Sequence, residues 1–450
     1  MKIGMVYGAS ISYEIGGGAP HEYENIHTPL GLAYPLAMVR KNFPNVEIKI
    51  IDQAYHNSSN ERMLNLILSH DFDLLGFSTY VWNSISVYNW IKEIKKEQKD
   101  IKIVAGGPHF TYIPSLLMKR LNNLDFVIKK EGEIPFLKLV EKLMDNDDTF
   151  EEVPSIVFRR GNKIIDNNLE KPPIDLDNYP SPYLTGILDE YLDSNCKYLG
   201  LQTSRGCPFN CAYCVWNIQS TFEGFPRIRY FSTDRVIKEL RYIQDRTKTD
   251  VSIEIYDATF NENKKRLLEL CEKIKDNRIK LRLGVRIRAD LLTDEQVKTL
   301  KSMGVWIIRV GIESVGESLK AVKRSQSQLK IETNLKSIRE SGIMISGNIM
   351  IGLPQQSKEE ILKTIEYVKK LKINAFTVNV YDPPSGKDIY NNPKNFGMKE
   401  FKETIDGRKS FESDFLNRKE IIGLAKKGND ELNYVLFELL KKYKSLMAFS

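Results

Sequence analysis

Three cysteines, Cys207, Cys211 and Cys214, share the run Arg205-Gly206-Cys207-Pro208-Phe209-Asn210-Cys211-Ala212-Tyr213-Cys214. Three thiolates in one tight loop can hold a cubic iron-sulfur cluster by three corners. The fourth iron is then open to bind and reduce a ligand, whereas an electron-transfer cluster is normally closed by four thiolates. A structural zinc site wants four protein ligands, usually in two paired clusters. Here Cys196 and Cys271 stand alone and no histidine follows His109, so a fourth ligand would have to come from far away in sequence. A disulfide framework is poorer still, since five cysteines in 450 residues are sparse and odd in number. The donor set points to a 4Fe-4S cluster with one open iron.

Such a loop needs a scaffold, and 450 residues are enough for two or three domains. Residues 1–145 alternate short apolar strands with helical stretches, the pattern of a parallel sheet covered on both faces. The strand candidates are 2–7, 46–51, 74–78, 103–106 and 126–128, which suit a doubly wound, flavodoxin-like sheet with ligands beyond the carboxyl ends of its strands. Residues 146–195 read as a connector, with a hairpin at Gly161-Asn162 and a proline-rich run through Pro172-Pro173 and Pro180-Ser181-Pro182.

From residue 196 to 390 the alternation resumes with longer helices. Strand candidates at 198–203, 251–255, 281–285, 306–310, 343–349 and 375–380 are separated by amphipathic runs such as 234–245, 264–275, 294–303 and 359–371. Six strand-helix units predict a partial (β/α)6 barrel. The Cys loop follows the first of these strands, at the end where barrel chemistry gathers. Residues 391–450 lose this rhythm and end in a helix-like run from 430 to 446, so a short, mostly helical region is expected there.

Composition narrows the function. A hydrophobic fraction of 42% with 28% charged residues is that of an ordinary globular protein. The apolar start Met1 to Tyr7 is too brief for a signal-peptide core and no later stretch approaches a membrane span, so a cytoplasmic, reduced protein is expected. The net charge of +7 is spread along the chain without a concentrated basic patch, and no nucleic acid is expected as partner.

The C-x3-C-x2-C spacing, with an aromatic before the last Cys, resembles the signature of the radical S-adenosylmethionine (SAM) enzymes. That resemblance implies an open iron that chelates the amino and carboxylate groups of SAM, with one electron splitting SAM to a 5′-deoxyadenosyl radical. Further motifs follow in the expected order. Glu254-Ile255-Tyr256-Asp257-Ala258-Thr259-Phe260 stands where the family receives the SAM amino group, with Asp257 in place of the familiar Gly-Gly-Glu, although Asp257 is equally suited to a helix cap. After the next strand, Arg286 and Arg288 fall on one side, and a planar guanidinium at Arg288 suits the SAM carboxylate through two parallel hydrogen bonds. In Arg309-Val310-Gly311-Ile312-Glu313-Ser314 the family places ribose contacts, which the resemblance assigns to Glu313 and Ser314. Gly347 to Pro354 resembles the strand along the adenine, with Gly352 allowing close backbone approach.

The amino-terminal half resembles the cobalamin-binding domain that precedes the barrel in the class B methylase branch. The matching pieces are Pro29 to Tyr34 with Leu30 and Gly31, Gly76 to Asn83, Ala105 to His109, and Lys130-Glu131-Gly132-Glu133. The resemblance implies that Ser78 and Thr79 bond the nucleotide tail, that Gly106 and Gly107 leave room for it, and that Glu131 and Gly132 lie nearby. The Asp-x-His-x-x-Gly motif that supplies an axial histidine is missing: Asp52 to His56 has the wrong spacing and His109 the wrong place. Cobalamin is therefore expected without an axial histidine, with Tyr80, Trp82 or Asn83 near its lower face. His21, His27, His56 and His70 read as surface or loop residues, and Gly16-Gly17-Gly18-Ala19-Pro20, lacking P-loop spacing, as a flexible loop over the cofactor.

Together these resemblances imply a cobalamin-dependent radical SAM methyltransferase acting on an unactivated carbon of a small-molecule or peptide substrate. An external electron donor of flavodoxin or ferredoxin type is implied too. A cyclase or rearrangement enzyme without net methylation, and a sensor without turnover, are the alternatives. A methylthiotransferase is disfavoured because no Cys precedes Cys196. The final sixty residues, with Phe396, Phe401 and Phe411, are expected to cover the barrel mouth.

Overall fold

Five short apolar runs, β1 (Lys2–Tyr7), β2 (Glu47–Asp52), β3 (Leu74–Ser78), β4 (Lys102–Gly106) and β5 (Phe126–Ile128), form a parallel sheet in the order β2-β1-β3-β4-β5. β3 is buried along its whole length, as expected of a strand covered on both faces. Helices Leu30–Asn42 and Glu133–Met144 pack together on one face, and Asn60–Leu68 with Ser84–Glu97 on the other. The hairpin expected in the connector forms β6 (Ile156–Arg160) and β7 (Lys163–Asp166), and β6 pairs antiparallel to β5, so the connector extends this sheet. The computed structural model describes residues 1–8, 28–56, 58–194, 196–216, 222–247 and 250–447, with side chains as far as residue 433. The glycine tract 16–20, His21 and His27 lie outside the described residues.

The second sheet contains β8 (Tyr198–Leu201), β11 (Ser252–Ile255), β12 (Arg282–Ile287), β13 (Val305–Glu313), β14 (Met344–Ile351) and β15 (Ala375–Val380), all parallel and in chain order, a curled half barrel. Between β8 and its helix the chain makes an excursion, bounded by the antiparallel pair β9 (Ser204–Gly206) and β10 (Ile228–Tyr230), and this excursion carries the three cysteines. The helices after β10 to β14 start on side-chain caps at Ser232, Asn263, Thr293, Ser327 and Ser357, each accepting from a backbone N–H of the first turn. Caps of this kind contribute about 1 kcal/mol each and fix where every strand-to-helix loop ends.

Along the strands the sides alternate. Ile253, Val285, Ile308 and Ile349 are buried against the helices, while Arg286, Arg309, Asn348 and Met350 on the other side stay partly open. One continuous apolar core runs from Ile3 of the first sheet through Tyr183 and Leu199 to Leu432 of the last helix, so the two halves are packed on one another. The carboxyl-terminal region departs from expectation. Before its helix, Arg418–Met447, it forms an antiparallel hairpin, β16 (Met398–Glu403) and β17 (Lys409–Ser413).

Candidate active site

The Cys loop is held from several segments at once. Asp257, just past β11, accepts from the backbone N–H of Thr203 and Ser204 (2.8 and 2.9 Å) and from the Thr203 hydroxyl (2.5 Å). Arg205, two residues before Cys207, donates to Glu131 (2.8 Å) and Glu133 (2.5 Å), which belong to the amino-terminal half, and Arg229 joins Glu131 from β10. The Arg288 guanidinium stacks on Phe209 at 4.2 Å from the ring centre. Within the loop, Ala212 N–H donates to Val322 O (2.8 Å), and the Tyr213 hydroxyl receives Arg324 (2.7 Å) while facing Glu313 (3.4 Å). Lys387 Nζ lies 3.4 Å from Cys211 O.

None of the three cysteines is in a disulfide. Burial raises the Cys207 thiol and pushes Cys214 up to about 12, and the charges of the neighbouring loop cysteines add to the latter shift. Thiols so placed ionise when a metal supplies the compensating charge. Among the described residues no three or more His, Cys, Asp or Glu side chains are already gathered as a metal site. The donor chemistry fits a three-thiolate cluster all the same: three thiols outside any disulfide stand on one anchored loop.

Several residues assigned to SAM also have partners within the protein. Two hydrogen bonds of the Arg288 fork go to Asp290 (3.0 and 2.7 Å) and a third goes to Ser325 O. Ser314 is fully buried behind the sheet, donating to Glu360 (2.6 Å) and receiving Gln356 (3.1 Å). Gly352 has φ +92°, and a Cβ there would stand 3.0 Å from Ile421 of the last helix, so close packing within the protein already explains the glycine. Asp257 is turned toward the loop backbone. Glu313 keeps its place at the end of β13, accepting from Asn348 (3.0 Å). Burial raises its pKa, opposed by Arg324. Gly311 supplies the space, since a Cβ would lie 2.1 Å from Glu313 Oε1.

Opposite the barrel, the carboxyl ends of β1 and β3 present Tyr7, Tyr80 and Trp82. The Tyr80 and Trp82 rings stack at 4.4 Å, and Tyr7 meets Tyr80 edge-on at 6.1 Å. Tyr256 of the barrel is close enough for its charge to bear on Tyr7, whose pKa is raised mainly by burial and next by Tyr80. Gly31 and Ser78 flank the same spot: a Cβ on Gly31 would stand 3.4 Å from the Tyr80 hydroxyl and 3.8 Å from Ser78 Oγ. Leu30 opens the helix beside them, with Gly132 behind it, against Pro35. An aromatic shelf beside a residue without a side chain fits a flat macrocycle. Other residues assigned on this side also have partners within the protein. Asn83 is consumed by Ser78 O, Gly8 O and Tyr80 N–H. Thr79 is bonded through Oγ1 to Gly106 O (2.6 Å). Gly107, at φ +98°, is required because a Cβ would come within 2.6 Å of Thr79 O, which is a reason internal to the loop. Gly106 meets nothing nearer than Ile128 at 3.7 Å. Glu131 serves Arg205.

Comparison with known proteins finds the same order of two domains. The family model of the B12 binding domain matches residues 20–140, and that of the radical SAM superfamily matches residues 201–368. The chain belongs to the cobalamin-binding radical SAM enzymes. It is 28% identical to an uncharacterized methyltransferase, PH0819, of Pyrococcus horikoshii over 80% of this chain and 77% of that one. It is 29% identical to the cobalamin-dependent radical SAM methyltransferase TokK of Streptomyces tokunonensis over 42% of this chain and 28% of that one. The radical SAM methyltransferase TsrM of Kitasatospora setae, solved with cobalamin and a 4Fe-4S cluster, has the same fold, with a TM-score of 0.67 at 16% identity over 89% of this chain and 80% of that one.

In this radical SAM enzyme the hairpin packs on loops of the amino-terminal half and on the Cys loop. Asp406 at its tip is fully buried, accepting from Arg408 Nε (2.8 Å) and from Ser84, while His109 Nε2 donates to Asp406 O (2.8 Å). Arg408 reaches Val81 O (3.0 Å), and Arg120 holds Thr404 O and Ile405 O (3.1 and 3.2 Å). Phe411 is buried in a small core with Tyr381, Tyr390 and Leu353 that also touches Ala212 and Tyr213 of the Cys loop, whereas Phe401 is exposed. His109, passed over as a ligand, is thus a clamp. The sequence signal for the hairpin was Asp406-Gly407, a turn dipeptide between two short runs.

Proposed function

We propose that the chain is a cobalamin-dependent radical SAM methyltransferase that methylates an unactivated carbon of a small-molecule or peptide substrate. The observation that supports this most is the confrontation of two carboxyl-end faces: the Cys loop and Glu313 on the barrel side, and the Tyr7-Tyr80-Trp82 shelf on the other. When bound, the cluster with SAM supplies a hydrogen-abstracting radical, and cobalamin supplies the methyl group. The protein's part is to hold and to orient. Cys207, Cys211 and Cys214 would hold the cluster. Glu313, oriented by Asn348 and Tyr213, would accept hydrogen bonds from the SAM hydroxyls, and the Thr259 hydroxyl stands 3.9 Å from Cys207 Sγ. Gly31, Ser78, Tyr80 and Trp82 would meet cobalamin, with no histidine among these residues. The hairpin ties the loops of the two faces together through Asp406, Arg408 and Phe411.

Among the described residues no helix is long and apolar enough to cross a membrane, and a cytoplasmic location with an external flavodoxin or ferredoxin as electron donor accompanies the proposal. The test is anaerobic reconstitution with iron, sulfide and hydroxocobalamin, then mass spectrometry after SAM and a strong reductant. The expected result is about one cluster and one cobalamin per chain, with both 5′-deoxyadenosine and S-adenosylhomocysteine formed. Formation of 5′-deoxyadenosine without S-adenosylhomocysteine would favour a cyclase or rearrangement enzyme. Failure to retain cobalamin would remove the methyl-transfer reading.

A further inference from the structure

Tyr381 follows β15 directly, at the carboxyl end of the half barrel where the Cys loop lies. Its backbone N–H donates to Ile351 O (2.8 Å), which holds the chain in line with the strand, and its side chain is buried. The ring belongs to the small core with Leu353, Tyr390 and Phe411. Ala212 and Tyr213, which stand between Cys211 and Cys214 in the chain, pack against that same core.

The hydroxyl at the end of this ring is buried and, among the described residues, has no hydrogen-bond partner. An unpaired buried polar group costs about 1–3 kcal/mol, and a phenylalanine would fill the same apolar space without that cost. The neighbouring acid does not answer it. Asp382 is held by two nitrogens of Arg418 (2.6 and 2.7 Å) and receives the Phe411 N–H (3.2 Å). Tyr390 of the same core bonds its hydroxyl to Gly407 O (2.8 Å), so a tyrosine here can be satisfied within the protein. Tyr112 has the other tyrosine hydroxyl left without a partner among the described residues, and burial alone acts on it. Tyr381 feels charge as well: burial raises its pKa first, then Asp382, then Cys214. Its hydroxyl therefore keeps its proton at neutral pH and stands within reach of the charge on a cluster-binding cysteine.

We propose that the Tyr381 hydroxyl donates a hydrogen bond to sulfur at the Cys214 corner of the iron-sulfur cluster and so raises the reduction potential of that cluster. Thiolate and sulfide sulfurs are the acceptors this buried donor lacks, and hydrogen bonds to them help to set the potential of such a cluster. The sign follows from charge. One electron from the external donor leaves one more negative charge on the cluster, the Tyr381 proton stays on its oxygen, and the hydrogen bond to the more negative sulfur strengthens. The reduced form is stabilised more than the oxidised one. The inference rests on the cluster and not on methyl transfer.

The test is an EPR-monitored redox titration of the full chain reconstituted with iron, sulfide and hydroxocobalamin, before SAM is added. Pulsed EPR of the reduced cluster, in protein reconstituted in D2O, is recorded on the same samples. In Tyr381→Phe the reduction equilibrium should move about tenfold toward the oxidised form, a fall of about 59 mV for a one-electron couple. A deuteron coupling seen in the parent should be lost with it. Tyr390→Phe, which removes a hydroxyl already bonded within the same core, should leave both as they are. A Tyr381→Phe equilibrium within about threefold of the parent overturns the proposal, and so does a deuteron coupling that survives in that variant because water supplies it. An equal fall in Tyr390→Phe overturns it too, since a loosened core would then be the cause. If Tyr381→Phe does not load iron, the parent decides alone, and a reduced cluster without an exchangeable deuteron beside it overturns the proposal. A parent that loads no cluster sinks this inference together with the methyltransferase. A loaded cluster indifferent to Tyr381 sinks only the inference, and S-adenosylhomocysteine formation judges methyl transfer separately.

Discussion

Arg205→Met would cut the most heavily charged contact between the two halves of the molecule. The Arg205 side chain is 9% exposed, its partners Glu131 and Glu133 are 11% and 4%, and Arg229 is 1%. In the variant, Glu131 keeps Arg229, but Glu133 loses its cation, and among the described residues its Oε2 already has no hydrogen-bond partner. Stripping one partner from a buried ion pair costs about 3–5 kcal/mol, because the remaining charge is left in a poor solvent. For cooperative units of 150–250 residues, about 2–4 °C of melting temperature is lost per kcal/mol, so the transition should fall by about 6–20 °C. A chain of several domains need not melt in one step. Calorimetry is therefore paired with iron analysis, since Arg205 lies two residues before Cys207 and iron per chain should fall with it. Lys336→Ala is the control: its pair with Glu340 is 68% exposed at both ends and should shift the transition little. If Arg205→Met melts within about 2 °C of the parent and loads iron fully, the network is not the lock argued for it.

Tyr213→Phe removes the hydroxyl between Arg324 and Glu313; with iron loading intact, the SAM dissociation constant should rise about tenfold or more, one charge-assisted bond being worth about 1.5–3 kcal/mol, and an unchanged constant would refute a positioning role. Gly107→Ala places a Cβ within 2.6 Å of Thr79 O at φ +98°; a loss of about 1–3 kcal/mol and of cobalamin absorbance is expected, and full retention of both would contradict it. Burial holds the folded pKa of His109 below its usual 6.5, against the pull of Asp406. On acidification the unfolded chain thus takes the proton first, so the stability from neutral His109 is complete above about 6.5 and drains as pH falls toward the folded value. Protease cleavage at residues 404–408 should rise between about pH 7.5 and 5.5 and His109→Gln should flatten the rise; equal protection at both pH values would count against the clamp.

Much of the scaffold was legible because its signals are local. β1, β3, β5 and β15 run where short apolar runs bounded by turn residues placed them. β12, β13 and β14 extend past the apolar core of their runs, as β13 does to Glu313, because a lumen tolerates polar residues that a sequence reader takes for strand ends. The hairpin at 398–413 was missed since its strands, Met398–Glu403 and Lys409–Ser413, are mostly charged and lie at an edge, where alternation is weak. The partners of Arg205 could not be read at all: Glu131 and Glu133 lie 74 and 72 positions away, and nothing local marks a long-range ion pair. His109 shows the same limit in reverse, a conspicuous residue whose partner, Asp406, is 297 positions distant.

That several residues assigned to SAM also bond within the protein bears on any mutational test of this site. A motif at a strand end marks a place near the cofactor, but not whether the side chain faces the cofactor or the loop that holds it. Asp257 and Arg288 both face the Cys loop, so their loss would weaken activity by either route. Arg288→Ala separates the two. A group that grips SAM would, when removed, weaken SAM binding at full iron content. Arg288 instead stacks on Phe209, reaches Ser325 O and is fixed by Asp290. A cation on an aromatic face contributes about 0.5–2 kcal/mol, enough to loosen a loop that several separate segments must hold in one place. The expected result is therefore less iron per chain, with SAM affinity per loaded cluster nearly unchanged. Full iron with a SAM affinity lowered tenfold would return Arg288 to the cofactor.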